Sequence, residues 1–433
     1  MEKTIRYLIN FLAGNSEADF SSIIGYTANQ EEFSRYKIVI IPAAFFNTDY
    51  YGKPSSIPVL PLQQINNIPL LYGTPKLEKI DATLVVHADI IASTYFLVTR
   101  YEEWIKPNCR DSHGRFPGKA SLPFRGGFIN RPIVDEYSDL LQQWLTECGV
   151  TVPQRKKGIA KVFLTHDVDQ ISHYRNLRGL AGSLLQNKFG KALKSYFGKI
   201  ENDPLFTFPF LFQTNSSFST NTSIPTESIF FFKSLIHYLP EDKPYYDLFS
   251  KDAQYLLHLC HLHKAEIGVH ASYFSGDNPE IISHEKDQLE LAYGNFIRYN
   301  RHHYLRSKEP VDMAALVDAG ITDDFTLGYA DIAGFRLGTC KPVKWINLPN
   351  KELSELTLHP LMIMDRTLSD NRYMNMHFSD ALNYCKQLID KVHTHHGEVV
   401  LLWHNQSLVQ TETFNHVQLY ADLLHYITSI SKQ

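Results

Sequence analysis

The segment Lys161-Val162-Phe163-Leu164-Thr165-His166-Asp167-Val168-Asp169 constrains this chain most. A short apolar, β-branched run reads as a buried strand, and this one stops at two carboxylates. Side chains two apart on a strand face the same way, so Asp167 and Asp169 point together into one pocket. In α/β barrels and open α/β sheets, ligands and reacting groups sit at the C-terminal ends of the parallel strands. Paired carboxylates there suit a metal site, a general base, or both. The plainer alternative is a strand-to-loop junction where Asp turns the chain.

With 433 residues, 44% hydrophobic and 20% charged, the chain is long enough for two or three packed domains. Its net charge of -4 and lack of a basic block argue against a nucleic-acid partner. Cys109, Cys148, Cys260, Cys340 and Cys385 are odd in number and scattered. That argues against a disulfide framework and a thiolate zinc site. Met1 to Arg6 leads into a helix-like segment without a signal peptide's apolar region. No apolar run reaches ~18 residues, so no stable membrane insertion is expected and a cytoplasmic location is the default.

Residues 1–155 read as a smaller α/β domain. Tyr36 to Ala43 and Ala82 to Val86 are strand candidates, Asp89 to Tyr101 a helix, and Ser55 to Pro69 a loop or short hairpin. Arg110 to Arg131, rich in Gly, Pro and Arg, reads as an irregular segment lying across a surface. Ile133 to Glu147 has helical spacing, and Gln154 to Gly158 is a polar boundary.

Residues 156–433 alternate strands and helices. The spacing predicts strands at Ser228–Ser234, Glu266–His270, Arg301–Leu305, Gly334–Arg336, Leu358–Met364 and Glu398–His404. Helices are expected at Asn176–Ile200, Tyr245–Lys264, Pro279–Arg298, Val311–Asp318, Ser379–His395 and Phe414–Ile430, and an exposed loop at Thr214–Thr226. Such alternation implies a parallel sheet with crossover helices, and the count fits a barrel of about seven strands.

Four further strand ends bear polar groups: His270, the Arg301-His302-His303 run, Arg336 between glycines, and His404. One histidine at a strand end is more often structural than chemical. Two aspartates, several histidines and an arginine at successive strand ends point to a site. His303 faces one way on its strand and His302 the other. His258, His261, His263, His393, His395 and His396 read as solvent or packing residues, and Asp324 and Asp331 as turn residues or pocket lining.

In the order of these motifs, residues 158–430 resemble the polysaccharide deacetylase family, carbohydrate esterases with the chitooligosaccharide-deacetylase homology domain. The resemblance implies a distorted, incomplete (β/α) barrel behind the N-terminal α/β domain. The family opens with T-F-D-D-G, where this chain has Thr165-His166-Asp167-Val168-Asp169. Carried over, Asp167 is the general base and Asp169 a metal ligand, with Val168 between them and the second match shifted by one. The family's H-S/T-x-x-x-H motif matches at His270, but its second histidine falls on Phe274. Either the metal is absent or another residue replaces that ligand, and His303 is the best candidate. Arg336 matches the arginine that orients the base, and His404 the histidine that acts as acid. The segments His270-Ala271-Ser272-Tyr273 and Arg301 to Arg306 also resemble divergent deacetylase-like proteins from bacterial surface-polysaccharide loci, as do residues 89–140.

The resemblance implies a metal-dependent hydrolase that removes an acetyl group from an amino sugar or polysaccharide precursor, with a carbohydrate as partner. Zinc is the first expectation for two imidazoles and a carboxylate, and iron, cobalt and manganese also suit that set. The alternatives are a metal-independent C–N amide hydrolase on the same barrel and a non-catalytic carbohydrate-binding protein.

Overall fold

Short runs of branched and aromatic side chains between polar turns set the strands of both halves. The computed structural model describes residues 1–14, 19–152, 156–175, 189–409 and 414–432. In the first half, β1 (Ile24–Tyr26), β2 (Ile38–Ile40) and β6 (Thr83–Ala88) run parallel, with β5 (Gly73–Ile80) antiparallel at the edge. The Pro- and Asn-rich segment before β5 folds as a hairpin of β3 (Gln63–Ile65) and β4 (Ile68–Leu70). The helix Ile133–Glu147 buries Ile133, Val134, Tyr137, Leu140, Leu141, Trp144 and Leu145, the stripe its spacing predicted.

Among the described residues, the second half is built on one nine-stranded sheet. Its strands are β7 (Lys161–Val168), β8 (Thr226–Phe232), β9 (Glu266–Ala271), β10 (Tyr299–His302) and β11 (Asp323–Asp324). Then follow β12 (Val343–Asn347), β13 (Glu352–Leu358), β14 (Ile363–Met364) and β15 (Glu398–Leu402). They lie in the order β12-β13-β11-β10-β9-β8-β7-β15-β14, and every neighbouring pair is parallel except β12 with β13.

This sheet is curled. Four strand spacings separate β7 from β11, about 19 Å in a flat sheet at ~4.8 Å each. Yet the ring of Phe163 on β7 lies 5.0 Å from that of Phe325, the residue after β11. Phe163, Ile229, Phe231, Tyr299, Phe325, Val400 and Leu402 form one buried cluster inside the curl. His359 ties the same two regions, its Nδ1 2.7 Å from Glu398 and its Nε2 3.0 Å from Asp323. Burial opposes charge on His359, but Asp323 and Glu398 outweigh it and raise the pKa to about 9. Among the described residues no ladder joins β14 to the opposite edge, so a closed barrel is not seen.

Some expectations are corrected. The Ser-, Thr- and Asn-rich stretch read as an exposed loop is largely the second half of the helix Phe208–Asn221. Phe208, Leu211, Phe212, Asn215 and Phe218 recur at helical spacing and are buried, so most of the polar residues fall on the outer face. Gly334–Arg336 is irregular and not a strand. The antiparallel β12–β13 pair was not anticipated. Of the helix expected over Asn176–Ile200, residues 176–188 lie outside the described residues, and Phe189–Phe197 is helical. Gln154 and Arg155 of the expected boundary also lie outside them.

Candidate metal and catalytic site

Because β7, β9, β10, β14 and β15 are parallel, their C-terminal ends open on one rim. Asp167 comes from β7 and Asp169 from just beyond it, His270 from β9, Arg301 from β10 and His303 from just beyond it, Asp365 from just beyond β14, and His404 from just beyond β15. Tyr304 and Leu305 both adopt left-handed backbone, with φ of 61° and 55°. Such backbone is costly for non-glycine residues and persists where the surrounding structure enforces it. Here it turns the chain sharply after His303, which leaves its strand to face Asp169.

Asp169, His270 and His303 each present one ligand atom within 4.8 Å of the others. The Asp169 Oδ1 lies 3.4 Å from Nε2 of His270 and 3.4 Å from Nε2 of His303. Two ligands about 2.1 Å from a tetrahedral ion stand about 3.4 Å apart. Each imidazole is set for ligation by the partner of its other nitrogen. The Nδ1–H of His270 donates to the Arg301 carbonyl at 2.9 Å. Nδ1–H of His303 donates to the Asp242 carboxylate at 2.8 Å. In both rings Nε2 therefore turns its lone pair to the site. Among the described residues, Oδ1 of Asp169 and Nε2 of His270 are buried without a hydrogen-bond partner, a costly state that a cation relieves. The residues present thus fit a divalent metal. Burial opposes the Asp169 charge, but His303, His270 and Lys233 outweigh it and hold the carboxyl well below the ordinary range.

Beside this triad stand two tethered groups. Arg301, fully buried, donates through Nη1 to Asp167 Oδ1 at 3.0 Å, through Nη2 to Thr165 and through Nε to the Phe325 carbonyl. That leaves Asp167 Oδ2 facing His270 Nε2 at 3.7 Å and His404 Nε2 at 3.8 Å. His404 is held by Asp365, which accepts from its Nδ1 and its backbone N–H, both at 2.8 Å. Burial opposes charge on His404, but Asp365 outweighs it and raises the pKa to about 8.

Arg336 does not reach Asp167, contrary to the expectation from the family motif. Both oxygens of Glu103 bind its guanidinium, at 2.9 and 2.6 Å, at the seam with the N-terminal half. The arginine on Asp167 is Arg301, two residues before His303 on the same face, a parity that could have revealed it. Asp365 had a signal too, since Leu361-Met362-Ile363-Met364-Asp365 repeats the apolar run ending in a carboxylate. Asp242 lies in a loop without such a pattern. His302 faces away, near Asn300 and Thr326. Asp324 and Asp331 accept hydrogen bonds from neighbouring loops, Asp324 from Thr326 and Asp331 from the backbone of Gly118 and Lys119.

The site floors a cavity of about 360 Å³ whose walls include His113, Arg115, Tyr304, Arg366 and Tyr373. Residues 3–149 match a family described as being of unknown function, DUF7033. No curated protein sequence matches this chain. Among solved structures, one from Mycobacterium smegmatis named as a "putative polysaccharide deacetylase" is similar with a TM-score of 0.40 and 14% identity. The match covers 65% of this chain and 86% of that one. Among the described residues no helix is long and apolar enough to cross a membrane.

Proposed function

We propose that this chain is a metal-dependent hydrolase that removes an acyl group from the nitrogen of an amino sugar, free or within a polysaccharide precursor. The observation behind the reading is the convergent Asp169–His270–His303 set, in which Asp169 Oδ1 and His270 Nε2 are buried without a hydrogen-bond partner among the described residues, flanked by a tethered carboxylate and a tethered imidazole. A divalent cation, zinc first among candidates for this donor set, supplies Lewis acidity toward an acyl carbonyl and a water. Asp167 Oδ2, the oxygen Arg301 leaves free, takes the proton of the attacking water. Arg301 and Thr165 fix the arginine–carboxylate unit, so the base keeps its orientation while charge moves. His404 Nε2, on the same side as that oxygen, gives its proton to the departing nitrogen as the C–N bond breaks. Asp365 favours the protonated imidazole this needs near neutral pH. Water is thereby divided between a carboxylic acid and an amine.

The test is metal analysis of the purified protein together with acetate release from N-acetylated amino sugars. The wild type is expected to hold one divalent ion per chain and to lose activity on chelation. Asp169→Ala and His303→Ala are expected to lose both metal and activity. Amide hydrolysis that survives chelation would replace this reading with a metal-independent amidase. Sugar binding without acetate release would replace it with a carbohydrate-binding protein.

A further inference from the structure

We infer that the loop Asp111–Arg115 of the N-terminal half is a fixed wall of the catalytic cavity, and that His113 with Tyr304 forms the subsite gripping the sugar ring beside the scissile amide. The inference rests on the hydrolase reading above.

The loop is tied on every side. Asp111 and Arg115 close it through a backbone bond at 2.9 Å and an ion pair at 2.7 Å, with Gly114 supplying the left-handed turn at φ 76°. Arg115, only 8% exposed, donates to the Tyr304 carbonyl and to the Tyr373 hydroxyl, each at 3.2 Å. Arg306 donates from the opposite side to the His113 carbonyl at 2.8 Å. A loop pinned by buried arginines at both flanks cannot be an independent flap. It is held where His113 and Arg115 line the same cavity as Asp167, Asp169, His303 and His404.

What the wall presents suits a pyranose. The His113 ring lies 4.6 Å from that of Tyr304, the residue after His303, and both line the cavity. Aromatic faces with polar edges take the apolar face of a sugar and its hydroxyls together. Burial, and then Arg115, lower the His113 pKa, which favours the neutral ring; its Nδ1 lies 3.4 Å from the Tyr273 hydroxyl, so Nε2 is the nitrogen left to meet a sugar hydroxyl. Arg115 is consumed by Asp111 and Tyr373, which leaves His113 as the wall's adaptable hydrogen-bonding group.

The probes are the methyl glycosides of N-acetylated glucosamine, galactosamine and mannosamine, with kinetics on the one turned over fastest. His113→Ala is expected to raise KM about three- to tenfold, the worth of one neutral hydrogen bond, and to lower kcat less. His113→Gln, which keeps a donor and an acceptor, is expected to recover most of that loss. An unchanged KM in His113→Ala overturns the subsite while leaving the hydrolase reading intact. So do equal losses in the Ala and Gln variants, or a fall in kcat alone with a lower melting temperature, since each marks a structural role. A wild type that holds metal but releases acetate from none of the three overturns the hydrolase reading, and this inference with it.

Discussion

Arg336 and Arg301 are both buried and each holds a carboxylate, and they differ in what they leave over. At the seam between the halves, Arg336 binds both oxygens of Glu103, and its Nη1 goes to the Gly328 carbonyl. Nothing on that carboxylate is left to react, and the pair serves as a polar staple. At the cavity floor, Arg301 spends one nitrogen on Asp167 Oδ1 and two on Thr165 and the Phe325 backbone. One oxygen of Asp167 stays open toward His404 and His270. A carboxylate saturated by its partner holds structure together. One held by a single oxygen keeps an acceptor for chemistry.

The sharpest break of this contrast is to remove the open oxygen's charge. Asp167→Asn is expected to keep the fold and the metal content while lowering kcat/KM by about 10²–10⁴-fold, the range for a general base. Steady-state kinetics with metal analysis of the same sample measures it. Turnover near the wild-type rate would mean that the free oxygen is not the base.

The next largest effect separates the two arginines. Arg336→Met leaves Glu103 buried without its main partner, and loss of such a partner typically costs about 3–5 kcal/mol of stability. Burial pushes the Glu103 pKa up, but Arg336 and then Arg100 outweigh it and hold the carboxyl below its ordinary range. A depressed carboxyl contributes stability above its unfolded pKa and loses it as pH falls through the folded one. The gap between wild type and Arg336→Met should therefore be full near neutral pH and narrow in acid. Denaturant melts across pH measure this, and kcat/KM per folded molecule should stay close to wild type. Arg301→Met should instead lower activity as well as stability. Equal losses of activity in the two variants would erase the distinction.

The sequence misread this pair for a physical reason. Arg336 stands between glycines after an apolar stretch, as a strand end does, but Gly334 sits at φ 154° against the Ile129 carbonyl and the segment is irregular. Its partner, Glu103, is 233 residues away in the N-terminal half, a distance that local pattern cannot bridge. The other residues were legible because strand parity is local. Asp169 and His303 each stand one residue past a strand end, so strand alternation still sorts Asp169 with Asp167 and His303 against His302. That His303 stands beside Asp169 and His270 needed only the knowledge that neighbouring parallel strands end on the same rim. Asp242, which orients His303 from a loop, had no periodicity to reveal it. The curl of the sheet was hidden as well, because it depends on Phe163 meeting Phe325 across four strands.

A third carboxylate lies between the two cases, and it gives the smallest effect. Asp365 has both oxygens taken: Oδ1 accepts from His404 Nδ1 and the Arg366 backbone, and Oδ2 from the His404 backbone. By the saturation rule it should not react, and its work should show only through His404. Burial disfavours the His404 cation while Asp365 restores it, setting the pKa at about 8. Asp365→Asn keeps a similar shape but removes the charge, so burial prevails and the pKa of His404 falls. An acid acts only while protonated, so the alkaline limb of kcat/KM should move from about 8 toward neutrality. A limb displaced to about 7 would cut the protonated fraction at pH 8 roughly fivefold and leave the plateau at lower pH much less affected. A pH profile of kcat/KM on wild type and variant measures this. A uniform fall at every pH would mean that Asp365 itself takes part in the reaction, and saturation would then no longer separate positioning carboxylates from reacting ones.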